Sequence, residues 1–383
     1  MDRPIRLIVQ QPSLAKYRLP VFQELARCPD IDLKLLYGVL DGIPNVEPEG
    51  FNAEPVWLYQ EKIRSQHIFW HSAQWNSASR KKTDVLCLTW NLRYVSLIPT
   101  LLKARAAGVK TLLWGHGYSK SESVVRKKIR RSVTNLATAI LFYNQTAADQ
   151  YIAAGYDPES IFVARNSLDQ TPIRAARKAW LKDPAKLAQF QREQNIGPGP
   201  NFLFVSRFDP LNRLDLLIRA TAEMTREFPH IEIFVVGKGA EEQQKLENLA
   251  DSLAIRDRVR FIGAIYDEMQ LAPWFLSSQA FCYPANIGLS LLHAFGYGLP
   301  VVTSDNLSSQ NPEIEALKPG RNGLLYEHGS VPALVEALRT IANDPELRAR
   351  LSAEAIRTVD EEFSLQNMVA GMAAAVRYCA AQS

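Results

Sequence analysis

Short, nearly continuous apolar runs recur along this chain with helical segments between them, and the series starts twice. In the first half the runs fall at residues 5–9, 31–37, 84–90, 109–114, 139–143 and 161–164. In the second they fall at residues 201–206, 231–236 and 259–262, in the run ending at Tyr283, and at 301–303 and 322–326. Runs that lack polar alternation suit parallel strands covered on both faces, with the intervening helices as the cover. The fold class this predicts is α/β, with two doubly wound domains and ligands at the carboxyl ends of the strands, in the cleft between domains. A polar helix over residues 171–194 and the run Gly197-Pro198-Gly199-Pro200 mark the joint. The expected domains are residues 1–169 and 170–362, with a final helix at 363–383 crossing back to the first. Residues 41–55, rich in Gly, Pro and acid, read as a loop, and residues 61–79 as a helix.

The length of 383 residues suits two such domains. A net charge of +4 is mild at this length, and no nucleic-acid motif appears. The cysteines, Cys28, Cys87, Cys282 and Cys379, form no C-x-x-C pair, which argues against zinc ribbons and dithiol chemistry. Cys87 and Cys282 sit in apolar runs and read as core residues of a protein in a reducing compartment. The N-terminus lacks the apolar core of a signal peptide, and no run reaches transmembrane length. The expected location is cytoplasmic, with membrane contact at most peripheral. One segment bears on that. Residues 120–131 carry Lys120, Arg126, Lys127, Lys128, Arg130 and Arg131 against Glu122 alone, with Val124, Val125, Ile129 and Val133 roughly on one helical face. It reads either as a solvated helix face or as a contact with an anionic membrane.

Residues 283–303 carry the first hint of chemistry. A strand ends at Tyr283-Pro284, a turn follows at Ala285-Asn286-Ile287-Gly288, and a helix begins at about Leu289. The first amides of a helix have no internal partners and its dipole is positive there, so the turn can hold an anion. A plain strand–helix connection is the other reading. His67 and His71, four apart on the expected helix, lack the acid of a zinc motif and read as packing residues beside Phe69, Trp70 and Trp75.

The second half resembles the retaining glycosyltransferases of family 4. The resemblance lies in ordered motifs: residues 206–218, Val236-Gly237-Lys238-Gly239, Val259-Arg260-Phe261-Ile262-Gly263, residues 285–301, and Asn322-Gly323-Leu324-Leu325. In the first half, Tyr17-Arg18-Leu19-Pro20-Val21-Phe22, Leu113-Trp114-Gly115-His116-Gly117 and residues 163–169 look like a bacterial branch that builds surface polysaccharides. The resemblance implies the GT-B fold, two facing Rossmann-like domains. It implies transfer of a sugar from a nucleotide-diphosphate donor to a glycan or lipid-linked acceptor. The family's two glutamates fall at Ala285 and His293, and its donor-phosphate lysine at Asn212, followed by Arg213. No acid stands at either glutamate position.

For the leaving diphosphate this nominates Arg207, Arg213 and the amides near Gly288, Leu289 and Ser290, with Asn212 at the lysine position. His293 is assigned to the ribose. Gly237, Gly239, Gly263, Tyr266 and Tyr283 shape the nucleotide pocket. His116, between two glycines at a strand end, stands where the family's donor-contacting histidine stands and is, with Arg207, the catalytic candidate. Tyr17 and Arg18 line the acceptor side or pack a helix entry. Glu313 reads as an exposed helix-cap acid or a cleft residue. With no paired Asp motif, no metal or other cofactor is expected beyond the nucleotide sugar. No carboxylate is placed for a covalent intermediate, so single-step retention is expected. The alternative is a catalytically inactive carbohydrate- or partner-binding protein on the same fold.

Overall fold

A computed structural model describes residues 3–39, 45–63, 66–118 and 124–382. The chain divides into two compact units, Met1–Asn166 with Leu365–Ser383, and Ser167–Ser364.

In the first unit, β1 (Ile5–Gln11), β2 (Ile31–Val39), β3 (Asn52–Ile63), β4 (Gln66–His71), β5 (Val85–Thr89), β6 (Lys110–Gly115), β7 (Ala139–Phe142) and β8 (Ile161–Val163) form one sheet in the order β4-β3-β2-β1-β5-β6-β7-β8. All described pairs are parallel except β3 with β4. Both faces are covered, which is why the runs are apolar throughout. Leu7 and Val9 face a cluster with Phe22, Leu25, Met368 and Val376, while Ile8 faces another with Leu97, Leu101 and Ala148. The helix Leu365–Ala381 lies against this sheet, and a Cβ at Gly371 would fall 2.2 Å from the Val163 carbonyl oxygen. Arg377 of that helix donates to both Asp30 carboxylate oxygens, at 2.6 and 2.9 Å.

The predicted helix at 61–79 is not formed. Residues 52–71 make the β3–β4 hairpin, and only Ser72–Ser77 is helical. Val56 and Leu58 pack inward while Trp57 and Tyr59 are exposed, a period of two that favours a strand. This also shortens the predicted loop, which ends at Phe51; its residues 41–44 lie outside the described residues. His67 and His71 share a strand face about 13 Å apart at strand rise, too far for one metal ion. His67 is exposed and pairs with Gln60 at 2.7 Å, whereas His71 is buried with its ring near Tyr94.

In the second unit, β9 (Asn201–Val205), β10 (Glu232–Val236), β11 (Val259–Gly263), β12 (Ala280–Cys282), β13 (Val301–Ser304) and β14 (Gly323–Tyr326) form a parallel sheet ordered β11-β10-β9-β12-β13-β14. Counted from β9 this is the order 3-2-1-4-5-6, whose direction reverses between β9 and β12. The predicted single helix at 171–194 is two, Thr171–Leu181 and Pro184–Glu193. Pro184 has no N–H to continue the first, and Asp183 caps the second by accepting from the Lys186 amide at 3.1 Å. Cys87 and Cys282 are buried, which pushes both thiols well above their ordinary range.

His71 makes a pH test of the hairpin base. Burial holds its imidazole at about 4, below the ordinary 6.5. Between those values the unfolded chain takes up a proton that the folded one refuses, so stability rises with pH from 4 to 6.5 and then levels off. The full effect is on the order of 3 kcal/mol. Urea midpoints are expected to fall between pH 7 and pH 4.5 in the native chain, and less so in His71→Leu.

Candidate functional sites at the two sheet reversals

The reversal in the second sheet brings together the ends of β9 and β12. Tyr283, just past β12, is buried and donates from its hydroxyl to Ser206 Oγ, just past β9, at 3.0 Å. Burial pushes its phenol up. Tyr283 is therefore a buried strut beneath the site. Asn212 is buried too. Its Nδ2 donates to the Arg207 carbonyl at 3.0 Å, and its Oδ1 accepts from Asn286 Nδ2 at 3.2 Å. Its own carbonyl accepts from the Ala285 amide at 3.1 Å. At the position of the expected lysine there is thus a neutral residue that ties the two loops together.

The turn at 285–288 is pinned from a second side. Asn286 adopts φ 60°. Asn311 Nδ2 donates to the carbonyls of Asn286 and Ile287 at 3.0 and 3.1 Å. Gln310 accepts from the Ile287 amide at 2.7 Å and is held through its Nε2 by Thr303 and Ser304. The helix that follows is short, Ser290–Gly296, with Leu289 at its cap. The amides of Gly288, Leu289 and Ser290 make no hydrogen bond among the described residues. Arg207 is exposed at the end of β9 and likewise makes no side-chain hydrogen bond or ion pair there. The second expected cation is spent locally: Arg213, at φ 56°, donates to both Asp215 oxygens, at 2.9 and 3.0 Å.

Gly237 and Gly239 carry the chain across this end of the sheet. A Cβ on Gly237 would lie 1.8 Å from the Ser206 carbonyl oxygen, and one on Gly239 2.9 Å from Phe208 Cβ. The Gly237 amide donates to the Gly263 carbonyl at 2.9 Å. Beyond Gly263, Tyr266 is exposed, with Lys238 Nζ 5.8 Å from its ring centre. His293 turns toward Glu268: its Nε2 lies 3.0 Å from Glu268 Oε2, which also accepts from the Tyr297 hydroxyl at 2.7 Å. Sequence reasoning missed Glu268, because the acid that meets His293 comes from another helix, Glu268–Leu276. Glu313, read as an exposed helix-cap acid or a cleft residue, is buried beside Gly288, so the exposed reading fails.

The first sheet reverses between β1 and β5, and a cavity of about 360 Å³ opens there at the strand ends. Its lining includes Gln11, Trp90 and Trp114, together with Tyr17, Arg18 and His116 from the predicted set. His116 follows β6, is exposed, and has its ring centre 4.7 Å from that of Tyr143. Its two glycine neighbours are both required. A Cβ at Gly115 would press on Trp90 at 2.8 Å, and Gly117 is left-handed at φ 70° with Phe142 2.5 Å from where a Cβ would sit. Beneath the floor, Gln10 accepts from Gln74 at 2.8 Å, and Gln74 accepts from Ser96 at 2.7 Å, a buried polar chain that ties β1 to the flanking helices.

The family model for glycosyl transferases group 1 matches residues 186–358. An uncharacterized glycosyltransferase of Haemophilus influenzae is 26% identical over 201 residues, 51% of this chain and 52% of that protein. A D-inositol 3-phosphate glycosyltransferase of Rhodococcus jostii is 28% identical over 293 residues, 74% of this chain and 60% of that one. The chain thus spans about half the length of the first of these relatives. Among solved structures, Anabaena HepE in complex with UDP superposes with a TM-score of 0.70 at 16% identity, over 96% of this chain and 98% of that one. The lipopolysaccharide outer core galactosyltransferase WaaB gives 0.66 at 16%, over 96% and 99%. The two parallel-sheet units are those of the GT-B fold.

The tie through Asn212 is measurable by itself. Asn212→Ala removes three side-chain hydrogen bonds and leaves the Arg207 carbonyl, Ser206 Oγ and the Asn286 amide to find others. A loss of about 2 kcal/mol in urea unfolding is expected.

Proposed function

We propose that this chain is a group 1 glycosyl transferase that moves a sugar from a nucleotide-diphosphate donor to a glycan or lipid-linked acceptor with retention of configuration. The observation that carries the donor half is the cluster of unengaged donors at the second reversal: three backbone amides, Gly288 to Ser290, and the exposed Arg207. Donors fixed before substrate arrives stabilise the charge that builds on a departing diphosphate. The anomeric C–O bond to the diphosphate breaks, the acceptor oxygen bonds to the same face, and the acceptor proton leaves. His116, exposed and set by its glycines, is the first unit's candidate to hold or receive a proton in that exchange. The ribose falls to His293, kept in place by Glu268 and Tyr297. Gly237, Gly239, Gly263 and Tyr266 edge the nucleotide pocket, and Tyr17 and Arg18 face the acceptor. The leaving-group charge is met by fixed donors, so the reaction proceeds without a divalent ion. The HepE complex with UDP supports a uridine nucleotide as the first to test.

A second part of the reading concerns location. In the helix Val124–Thr134, Val125 and Ile129 are exposed beside the exposed Lys128 and Arg131, while Val133 and Arg130 are buried. Lys120 and Glu122 lie outside the described residues. No described helix is long and apolar enough to cross a membrane. An apolar pair flanked by cations suits a peripheral contact with an anionic bilayer, where a lipid-linked acceptor resides.

Thermal shift with a panel of nucleoside diphosphates, followed by slow hydrolysis of the matching nucleotide sugar, tests the donor half. Arg207→Ala is expected to lower turnover about a hundredfold, and His116→Ala by a similar factor, with EDTA having no effect. A panel without a single shift sinks the reading. For the membrane contact, co-sedimentation with phosphatidylserine vesicles is expected, weakened in Ile129→Glu and absent with phosphatidylcholine alone.

A further inference from the structure

The cavity of the first unit is built around a buried cation. Arg18 is 6% exposed, yet its side chain makes no ion pair and no hydrogen bond to oxygen among the described residues. Its guanidinium carbon lies 5.1, 4.9 and 5.1 Å from the ring centres of Tyr17, Trp114 and Tyr143. Three ring faces offset part of the cost of removing the charge from water. They accept none of its N–H groups in the plane of the fork. The single polar contact is Nη1 to Met368 Sδ at 3.9 Å, and a thioether is a weak acceptor. Two further arginines, Arg93 and Arg130, line the same cavity. Arg93 is exposed and makes no side-chain ion pair or hydrogen bond among the described residues. No Asp or Glu is in the described lining.

Such a cavity differs from one made for a neutral sugar. Sugar hydroxyls are met by carboxylates and amides as readily as by cations, and an acid would neutralise part of this charge. Here a planar guanidinium is fixed by aromatic rings in the lining of an open cavity of about 360 Å³, ample for a monosaccharide with a charged substituent. A planar fork of N–H donors matches an oxyanion bidentately. We infer that this cavity binds an oxyanion carried by the acceptor, a phosphate or carboxylate held between Arg18 and Arg93. The inference rests on the reading of the first unit as the acceptor side and names the acceptor's class: an acidic sugar or a phosphate-linked one.

Isothermal titration of the full chain tests it, in saturating UDP so that the second unit's phosphate site is filled. The probes are glucose 1-phosphate, glucuronate, dodecyl phosphate and glucose. Glucose 1-phosphate or glucuronate is expected to bind at least about tenfold more tightly than glucose, and Arg93→Ala to weaken that binding about tenfold. Dodecyl phosphate separates a lipid phosphate from a soluble sugar phosphate: binding stronger than that of glucose 1-phosphate, and lost in Arg93→Ala, assigns the anion to a lipid-linked acceptor. Arg18→Met is expected to abolish anion binding. Because the loss of a buried side chain can unfold the unit, the exposed Arg93 is the deciding variant. Equal affinity for glucose and glucose 1-phosphate, or anion binding unchanged in Arg93→Ala, overturns the inference. UDP binding by both variants is expected to match the native chain. Failure of the native chain to bind UDP counts against the glycosyl-transfer reading, while the Arg93 comparison still decides the cavity.

Discussion

The carboxyl ends of β9 and β12 lie side by side, with each strand's successor on the opposite side of the pair. No crossover connection covers the ground above such a junction, so the loops that leave it must hold one another. They do so through uncharged groups. Tyr283 reaches Ser206, Asn212 reaches Asn286 and the Arg207 carbonyl, and Asn311 and Gln310 take the Asn286 and Ile287 carbonyls and the Ile287 amide. An amide can donate and accept at once, so a frame of amides satisfies itself without a counter-charge. The positive groups that remain, Arg207 and the amides of residues 288–290, are left to whatever arrives from solution.

The first unit solves a similar problem with different means. Beneath its reversal point run neutral amides, Gln10 and Gln74, and the cavity above has walls of aromatic rings and guanidinium groups. Rings hold the Arg18 charge in place without consuming its hydrogen-bonding capacity, which an ion pair would do. The contrast with Arg213 is direct: that arginine is paired with Asp215 through two of its N–H groups.

Much of this was legible in the sequence. Unalternated apolar runs require cover on both faces, and the two sheets are covered so. Glycines on either side of His116 signalled a tightly threaded loop, and both prove sterically necessary. What escaped was of three kinds. The hairpin at 52–71 was hidden because its start fell in the Gly-, Pro- and acid-rich stretch read as a loop over 41–55, and its second strand fell in the segment read as a helix over 61–79. Asn212 gave no sign of being buried, since a lone polar residue in a loop is ordinarily solvated. Glu268 and the ring box around Arg18 are assembled from separate elements, and no spacing rule links residue 268 to 293 or residue 18 to 114 and 143.

The helix Leu365–Ala381 has a consequence for how the chain is made. It fills one face of the first sheet, supplying Met368, Met372 and Val376 to its core, and packs so closely that Gly371 meets the Val163 carbonyl. The residues of the second unit are all in place by Ser364, whereas the first unit awaits the helix Leu365–Ala381 before that face of its sheet is covered. During synthesis, then, the unit begun first is the one finished last. Its open sheet face, with Phe22, Leu25 and Trp114 around it, stays uncovered for as long as the ribosome takes to read the other half of the message.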